Sequence, residues 1–225
     1  MRKLIISILI LASGNVLAHG GRADRNGGHT DKKTNTYHCH KEPCFSNHRL
    51  AKEATENAIK QNRAFSKLYN RKEWPHWTDD DRDCQNTRAE VLIISSSSPV
   101  KFKRNKGCSV SHGEWFDPYT NLTFTQASKL DIDHIVPLME AHISGASNWT
   151  REEKREFAND HENLIAVSAN ENREKGAKDP ANWLPDTINY RCKYVKHWLY
   201  VKLKYKLNID KKEKASIKSV LNGCH

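Results

Sequence analysis

The chain has 225 residues, 37% of them hydrophobic and 28% charged, and its six Trp, seven Tyr and six Phe can anchor a packed core. This composition excludes wholesale disorder and fits one globular domain, with or without a small additional module. The formal net charge of +10 points to a polyanionic partner, although charge alone does not separate nucleic acid from an anionic membrane surface or an acidic glycan.

The first 18 residues have the pattern of a secretory signal peptide. Arg2 and Lys3 precede the apolar run 4–12, and Ala18 provides the small residue of a cleavage site. A retained membrane anchor is the alternative, but the run is shorter than the roughly 18 apolar residues of a membrane span. The sequence therefore predicts cleavage after Ala18, a secreted or periplasmic protein, and no membrane association after cleavage.

All six cysteines lie beyond this segment, and their even number in an oxidising compartment predicts three disulfides. Six cysteines allow 15 pairings, which the sequence alone does not decide. No set of CxxC pairs is present, which disfavours a zinc ribbon. Pairing each cysteine with its neighbour is the simplest hypothesis: Cys39–Cys44, Cys84–Cys108 and Cys192–Cys224.

The domain boundaries follow from changes in composition. Residues 19–48 form a His/Cys-rich module whose part 19–44 lacks apolar periodicity, so it is expected to be mainly loop. Residues 49–70 have apolar positions at helical spacing and predict a connecting helix, and residues 71–225 form the main domain. Within the module, the candidates for a second metal site are His38, Cys39, His40 and Cys44. A disulfide with solvent-exposed histidines is the alternative.

Elements in the main domain are predicted from local patterns. Residues 71–83 indicate a polar turn region, and 90–95 and 108–125 indicate short strands. Thr150 and Glu153 have the spacing of a capping box, which predicts a helix over 151–159. Residues 192–207 contain both helical and alternating patterns, and the helix is favoured.

The chemically informative stretch is 131–138, DIDHIVPL. Asp131 and Asp133 share one face of a predicted strand, and His134 follows directly. Residues 163–176, NLIAVSANENREKG, begin as a strand and continue as a helix that carries Asn172. Two strands followed by a helix predict a compact ββα hairpin.

With these residues the chain resembles the HNH endonucleases, also called ββα-metal nucleases, and most of all a secreted bacterial branch. The matching motifs are 131–138, Asn163-Leu164, the Asn-x-x-Lys-Gly-x-x-Asp-Pro pattern at 172–180, and Trp-Leu-Pro at 183–185; the likeness covers roughly residues 80–225. Asn172 stands where the family name has its last His, so this is an HNN form. The resemblance implies an α+β fold with the hairpin embedded in a disulfide-braced domain of helices and short strands. Residues 19–48 resemble a Tyr-His-x-His module of exported bacterial proteins.

The resemblance implies an exported, metal-dependent endonuclease that acts on DNA, or on RNA, as a monomer with little sequence specificity. His134 is the expected general base, and Asn163 would orient it through the ring or the nearby backbone. Asp133 and Asn172 would hold one divalent ion, with Asp131 in support. Because an amide oxygen suits a hard cation, Mg²⁺ is expected, with Mn²⁺ as an alternative.

Cations are expected to contact the phosphates. Arg88, Arg173 and Lys175 are the candidates near the hairpin; a structural role is the alternative for Arg88, and a solvated helix face for the other two. Further lysines lie along the C-terminal region, among them Lys202 and Lys204, and are expected to add to phosphate binding. Two other functions remain open: a non-catalytic extracellular nucleic-acid-binding protein, and an exported protein that sequesters metal through the N-terminal histidines.

Overall fold

In the computed structural model, residues 69–224 are described continuously, and upstream of them residues 23, 28–31, 36–40, 44 and 46. The predicted signal peptide 1–18 and nearly all of the predicted helix 49–70 lie outside the described residues. The chain divides into two units, Met1–Arg49 and Leu50–His225. Among the described residues, no helix combines the length and apolarity needed to cross a membrane.

The first unit contains a short antiparallel hairpin of strands β1 (Gly28–Asp31) and β2 (Thr36–Cys39). The prediction of a mainly loop-like module was therefore incomplete here. A disulfide joins Cys39 to Cys44 just beyond the second strand. Because two strands alone are marginally stable in water, this cross-link supplies part of the constraint that a larger sheet would provide.

The second unit is a mixed α+β structure with two further antiparallel sheets. One sheet has the strand order β3-β4-β5 and the other is the hairpin β6-β7. The strands are β3 (Lys101–Phe102), β4 (Val110–Asp117), β5 (Leu122–Gln126), β6 (Leu130–His134) and β7 (Leu164–Ser168). The helices are α1 (Thr87–Ser95), α2 (Leu138–Ile143), α3 (Arg151–Asn159), α4 (Ala169–Lys175), α5 (Ile188–Lys204) and α6 (Lys211–Asn222).

Most predicted elements are present. The capping box of Thr150 and Glu153 starts α3, and the favoured helix over 192–207 lies within α5 and the turn that follows it. The predicted strand over 90–95 was wrong, because these residues belong to α1. The Asn86 side chain caps that helix by accepting a hydrogen bond from the Ala89 amide, and the helix buries Leu92 while leaving Ile94 72% exposed. The cap and this one-sided burial override the strand preference of the β-branched residues.

The β6–β7 hairpin lies between two hydrophobic cores because its side chains alternate. Val167 and Ile165 face the larger core, which is built around Trp74, Tyr119 and Trp198. Leu130, Ile132, Leu164 and Ala166 face the smaller core around Trp115 and Leu92. The hairpin is thus held on both faces, and the polar residues at its end are placed by apolar packing.

Disulfides Cys84–Cys108 and Cys192–Cys224 brace this second unit. Together with Cys39–Cys44 they are the neighbouring pairs that the sequence predicts, and none of the six cysteines is free. Such cross-links stabilise mainly by restricting the unfolded chain, and they persist in oxidising compartments.

Candidate functional site

The register of the hairpin separates the candidate residues into two groups. Asp133 pairs with Ile165 and His134 with Leu164, so consecutive side chains of β6 leave on opposite faces. We call the Asp133 face the carboxylate side and the His134 face the imidazole side. Both residues lie at the C-terminal end of β6.

On the imidazole side, His134 is buried, with only 7% of its surface exposed. Its Nε2 lies 2.9 Å from the carbonyl oxygen of Ala158, at the end of α3. A carbonyl can only accept, so Nε2 carries the proton and Nδ1 keeps its lone pair. The ring of Trp77 stacks on the imidazole with centroids 5.6 Å apart and an angle of 27° between the planes. The side chain therefore has one fixed tautomer and one available basic nitrogen.

Burial lowers the pKa of His134 to about 3, and the nearby charges of Arg71, His76 and Lys175 act in the same direction. The hydrogen bond to Ala158 acts in the opposite direction and is outweighed. His134 is therefore a neutral imidazole at physiological pH, which is the form that can accept a proton.

This shift predicts how stability depends on pH. Because the pKa of His134 is about 3 in the folded protein and 6.5 unfolded, the unfolded chain binds the extra proton between these values. The contribution of His134 to stability is therefore lost as pH falls from 6.5 toward 3, with a slope of at most about 1.4 kcal/mol per pH unit. Urea titrations in EDTA at pH 7 and pH 5 should show a smaller loss of stability for His134→Asn than for the wild type. Equal losses in the two proteins would contradict the assignment.

Asn163 is fully buried and holds the turn that follows His134. Its side-chain oxygen accepts a hydrogen bond from the Val136 amide at 2.9 Å, and its side-chain nitrogen donates to the Val136 carbonyl at 3.2 Å. Its own carbonyl accepts from the Ile135 amide at 2.8 Å. Of the two predicted roles, contact with the backbone is the one present.

On the carboxylate side, Asp133 lies in an enclosed cluster and is only 3% exposed. Lys175 Nζ lies 2.9 Å from Oδ1 and also donates to the His134 carbonyl at 2.8 Å, while the Tyr119 hydroxyl donates to Oδ2 at 2.8 Å. Burial raises the pKa of Asp133 and lowers the pKa of Lys175, and their mutual attraction opposes both shifts. The ammonium thus neutralises a carboxylate for which desolvation is costly.

The predicted ligand Asn172 lies beside Asp131. Its side-chain nitrogen donates to Asp131 Oδ2 at 3.2 Å, and the Arg173 guanidinium approaches the same oxygen at 3.7 Å. The Asp131 side chain is one-third exposed. Asp131 and Asn172 therefore form a solvent-accessible pair of oxygen-bearing side chains on the same face as Asp133.

Two predicted phosphate contacts do not fit the structure. Lys175 is completely buried in its pair with Asp133. Arg88 donates from one nitrogen to the carbonyls of Ala127 and Leu130, at 3.1 and 2.9 Å, and so braces the start of β6. Arg173 is 72% exposed and remains available.

The structure also places an exposed arginine, Arg71, close enough to influence His134 electrostatically. Sequence reasoning missed it because residues 71–83 have only the pattern of a polar turn.

Part of the C-terminal basic region is structural. Lys202 is buried and pairs with Glu140 at 2.7 Å and with Glu213 at 3.3 Å. Lys204 pairs with Asp160 and Glu162. The lysines of this region that lie exposed and can still meet a polyanion are Lys193, Lys196, Lys206, Lys211, Lys212, Lys214 and Lys218.

The proposed second metal site in the first unit loses its thiol ligands, because Cys39 and Cys44 form a disulfide. The rings of His29 and His40 stack with centroids 4.6 Å apart. Among the described residues, one group of three carboxylates could hold an ion, the exposed Asp79, Asp81 and Asp83. Each of these carboxylates accepts a local backbone hydrogen bond, which accounts for the cluster without an ion.

The antiparallel hairpin, the following helix, and the Asp-His and Asn positions together define an HNH-type, nuclease-like domain. The sequence profile described as GmrSD restriction endonucleases, C-terminal domain, matches residues 92–220, more than half of the chain. The protein therefore belongs to this family.

A similar protein comes from the fungus Arthroderma benhamiae and is named an uncharacterized secreted protein. The two chains are 40% identical over 158 residues, which cover 69% of this chain and 76% of the fungal protein. No solved structure matches the chain.

Proposed function

We propose that this protein is an exported, metal-dependent endonuclease that hydrolyses phosphodiester bonds of DNA, with RNA as a second substrate class. The observation that carries the proposal is the fixed tautomer of His134 at the end of the β6–β7 hairpin. Its Nε2–H donates a hydrogen bond to the Ala158 carbonyl, and its Nδ1 has no hydrogen-bond partner among the described residues. An oriented neutral imidazole of this kind can take a proton from an attacking water.

The opposite orientations of His134 and the carboxylates suit an in-line displacement. Attack on phosphorus and departure of the leaving oxygen occur on opposite sides of the phosphate, so a base and a site for the leaving group are needed on the two sides. Nδ1 would take the water's proton on the imidazole side, and the Ala158 carbonyl would stabilise the resulting imidazolium through Nε2–H. Asn163 would keep the end of β6 in place through its bonds to Val136.

The carboxylate side fits a hard divalent cation by the chemistry of its donors. Asp131, Asp133 and Asn172 offer only oxygen ligands, which suit Mg²⁺ or Mn²⁺ better than zinc. We propose that these three residues hold the ion, with Asp131 added to the predicted pair because it already contacts Asn172. When bound, such an ion supplies Lewis acidity that neutralises charge on the phosphate and on the leaving oxygen.

The substrate would be held by charge and without sequence readout. Arg71 influences His134 electrostatically, Arg173 approaches Asp131, and both arginines are exposed. The exposed lysines of α5 and α6 are further cations that a polyanion can meet. Phosphate contacts of this kind give binding that is independent of sequence and sensitive to salt. Export follows from the signal-like N-terminus and the three disulfides, and the fungal relative's name agrees with it.

Plasmid digestion by the purified oxidised protein tests this function. We expect nicking and linearisation with Mg²⁺ or Mn²⁺ and no cleavage in EDTA, with recovery when the metal is restored. Asn172→Ala should need a higher metal concentration, whereas Asn170→Ala on the same helix should not. Cleavage that is undiminished in EDTA would refute metal dependence. If neither DNA nor RNA is cleaved with either metal, a non-catalytic nucleic-acid-binding protein becomes the better supported function.

A further inference from the structure

The turn region 71–83 lies upstream of the residues matched to the family, yet one of its side chains forms a wall of the imidazole side. Trp77 provides this wall by stacking on His134, and it also packs against the smaller core. A segment outside the family match therefore touches the residue on which the proposed chemistry depends.

The backbone at Trp77 adopts a conformation that bulky residues rarely take. Its φ angle of 59° lies in the left-handed region, which is unfavourable for an L-residue with a large side chain. Such a conformation persists only where its surroundings hold it, and functional sites are where it is most often found.

The Asn159 side chain contacts the backbone on both sides of Trp77. Its nitrogen donates to the Pro75 carbonyl at 2.8 Å, and its oxygen accepts from the Thr78 amide at 3.1 Å. The preceding residue is Ala158, whose carbonyl accepts from His134 Nε2. Two consecutive residues at the end of α3 thus position the two rings. Ala158 bonds the His134 imidazole directly, and Asn159 bonds the backbone on either side of Trp77.

From this arrangement we infer that Trp77 is a positioning residue for His134, a role that rests on the proposed nuclease function. The bond to Ala158 fixes the distance of Nε2 but leaves the ring free to turn about that bond. The indole face removes this freedom, so that Nδ1 is presented in one direction. Trp77 acts through His134 and makes no contact with the reacting atoms in this account.

Kinetics on a short DNA duplex with saturating Mg²⁺ separate positioning from simple packing. We expect Trp77→Leu to lower kcat roughly 10- to 100-fold, with KM changed by less than about twofold, because a misplaced catalytic group affects the chemical step. Trp77→Phe keeps an aromatic face and should stay within about threefold of the wild type. Trp149→Leu is the matched control, since Trp149 packs against Trp74 and Phe157. It should lower the melting temperature without lowering the kcat of the folded protein.

A spectroscopic measurement tests the ring itself, independently of cleavage. In histidine-labelled protein at neutral pH, His134 should give one sharp set of ring signals with the Nε2–H tautomer, assigned by their loss in His134→Asn. Trp77→Leu should broaden or split this set, and Trp77→Phe should preserve it. A folded Trp77→Leu protein with wild-type kcat or an unchanged ring spectrum would overturn the inference. If the wild type cuts no nucleic acid, the nuclease proposal fails, and the ring spectrum still decides whether Trp77 orients His134.

Discussion

Replacing His134 by Ala should lower kcat for DNA cleavage by about 10²–10⁴-fold while DNA binding stays near the wild-type level. The substitution removes the imidazole, whose Nδ1 has no hydrogen-bond partner in the described part of the chain, whereas the exposed cations proposed to bind phosphate are untouched. A uniform loss of substrate affinity would instead raise KM and spare kcat. Single-turnover cleavage of a labelled duplex, beside fluorescence anisotropy of the same duplex in EDTA, measures the two quantities separately.

The control for this variant is His112→Ala, because His112 is exposed on β4 and its side chain's hydrogen-bond partner among the described residues is the neighbouring Ser111 hydroxyl. It should leave kcat unchanged. Since His134 is buried, the melting temperature of each variant must be measured so that loss of folded protein is not mistaken for loss of chemistry. A folded His134→Ala protein that cuts within a few-fold of the wild type would place the general base elsewhere.

The hairpin could be predicted from the sequence because its signals are local. Asp131, Asp133 and His134 lie within one strand, and the alternation that separates Asp133 from His134 follows from strand geometry. The position of Lys175 could also have been found. It lies three residues after Asn172 and so shares its helix face, and a helix that follows a ββ hairpin packs this face onto the strands. The sequence analysis assigns Lys175 to phosphate contact, with a solvated helix face as the alternative, and the structure buries it instead.

Other features depend on contacts between distant parts of the chain. Trp77 and Arg71 lie near His134 because long-range contacts tie the turn region to α3. Asn159 accepts a hydrogen bond from the amide of Thr78, 81 residues earlier, and Lys154 pairs with Glu73 at 2.8 Å. The strand predicted over 90–95 failed for a related reason, since the indole N–H of Trp115 donates a hydrogen bond to the Leu92 carbonyl of the helix at 2.8 Å. No sequence pattern within residues 71–83 indicates that this segment contacts α3 or His134.

Breaking the buried pair of Lys175 and Asp133 should have the largest effect on stability. Lys175→Met would leave the Asp133 carboxylate enclosed with only the Tyr119 hydroxyl as partner. An uncompensated buried charge of this kind costs about 3–5 kcal/mol, which corresponds to a fall in melting temperature of roughly 6–20 °C for a domain of this size. Lys178→Met is the matched control, because Lys178 is exposed and, within the described part of the chain, its ammonium donates to the Glu174 carbonyl alone. It should change stability by no more than about 0.5 kcal/mol.

The double variant Asp133→Asn/Lys175→Met should be destabilised by less than the sum of the two single variants, because neither charge is then left without its partner.

The effect of divalent cations on the melting temperature provides a second test of the role of Asp133. In Lys175→Met the carboxylate has lost its ammonium, so Mg²⁺ or Mn²⁺ should raise the melting temperature by more than in the wild type, as expected for a ligand that binds only the folded state. Asp133→Asn/Lys175→Met should lose this additional rise. If Lys175→Met is as stable as Lys178→Met, Lys175 does not offset the cost of burying the Asp133 carboxylate. An equal metal response in all three proteins would remove Asp133 from the proposed ligand set.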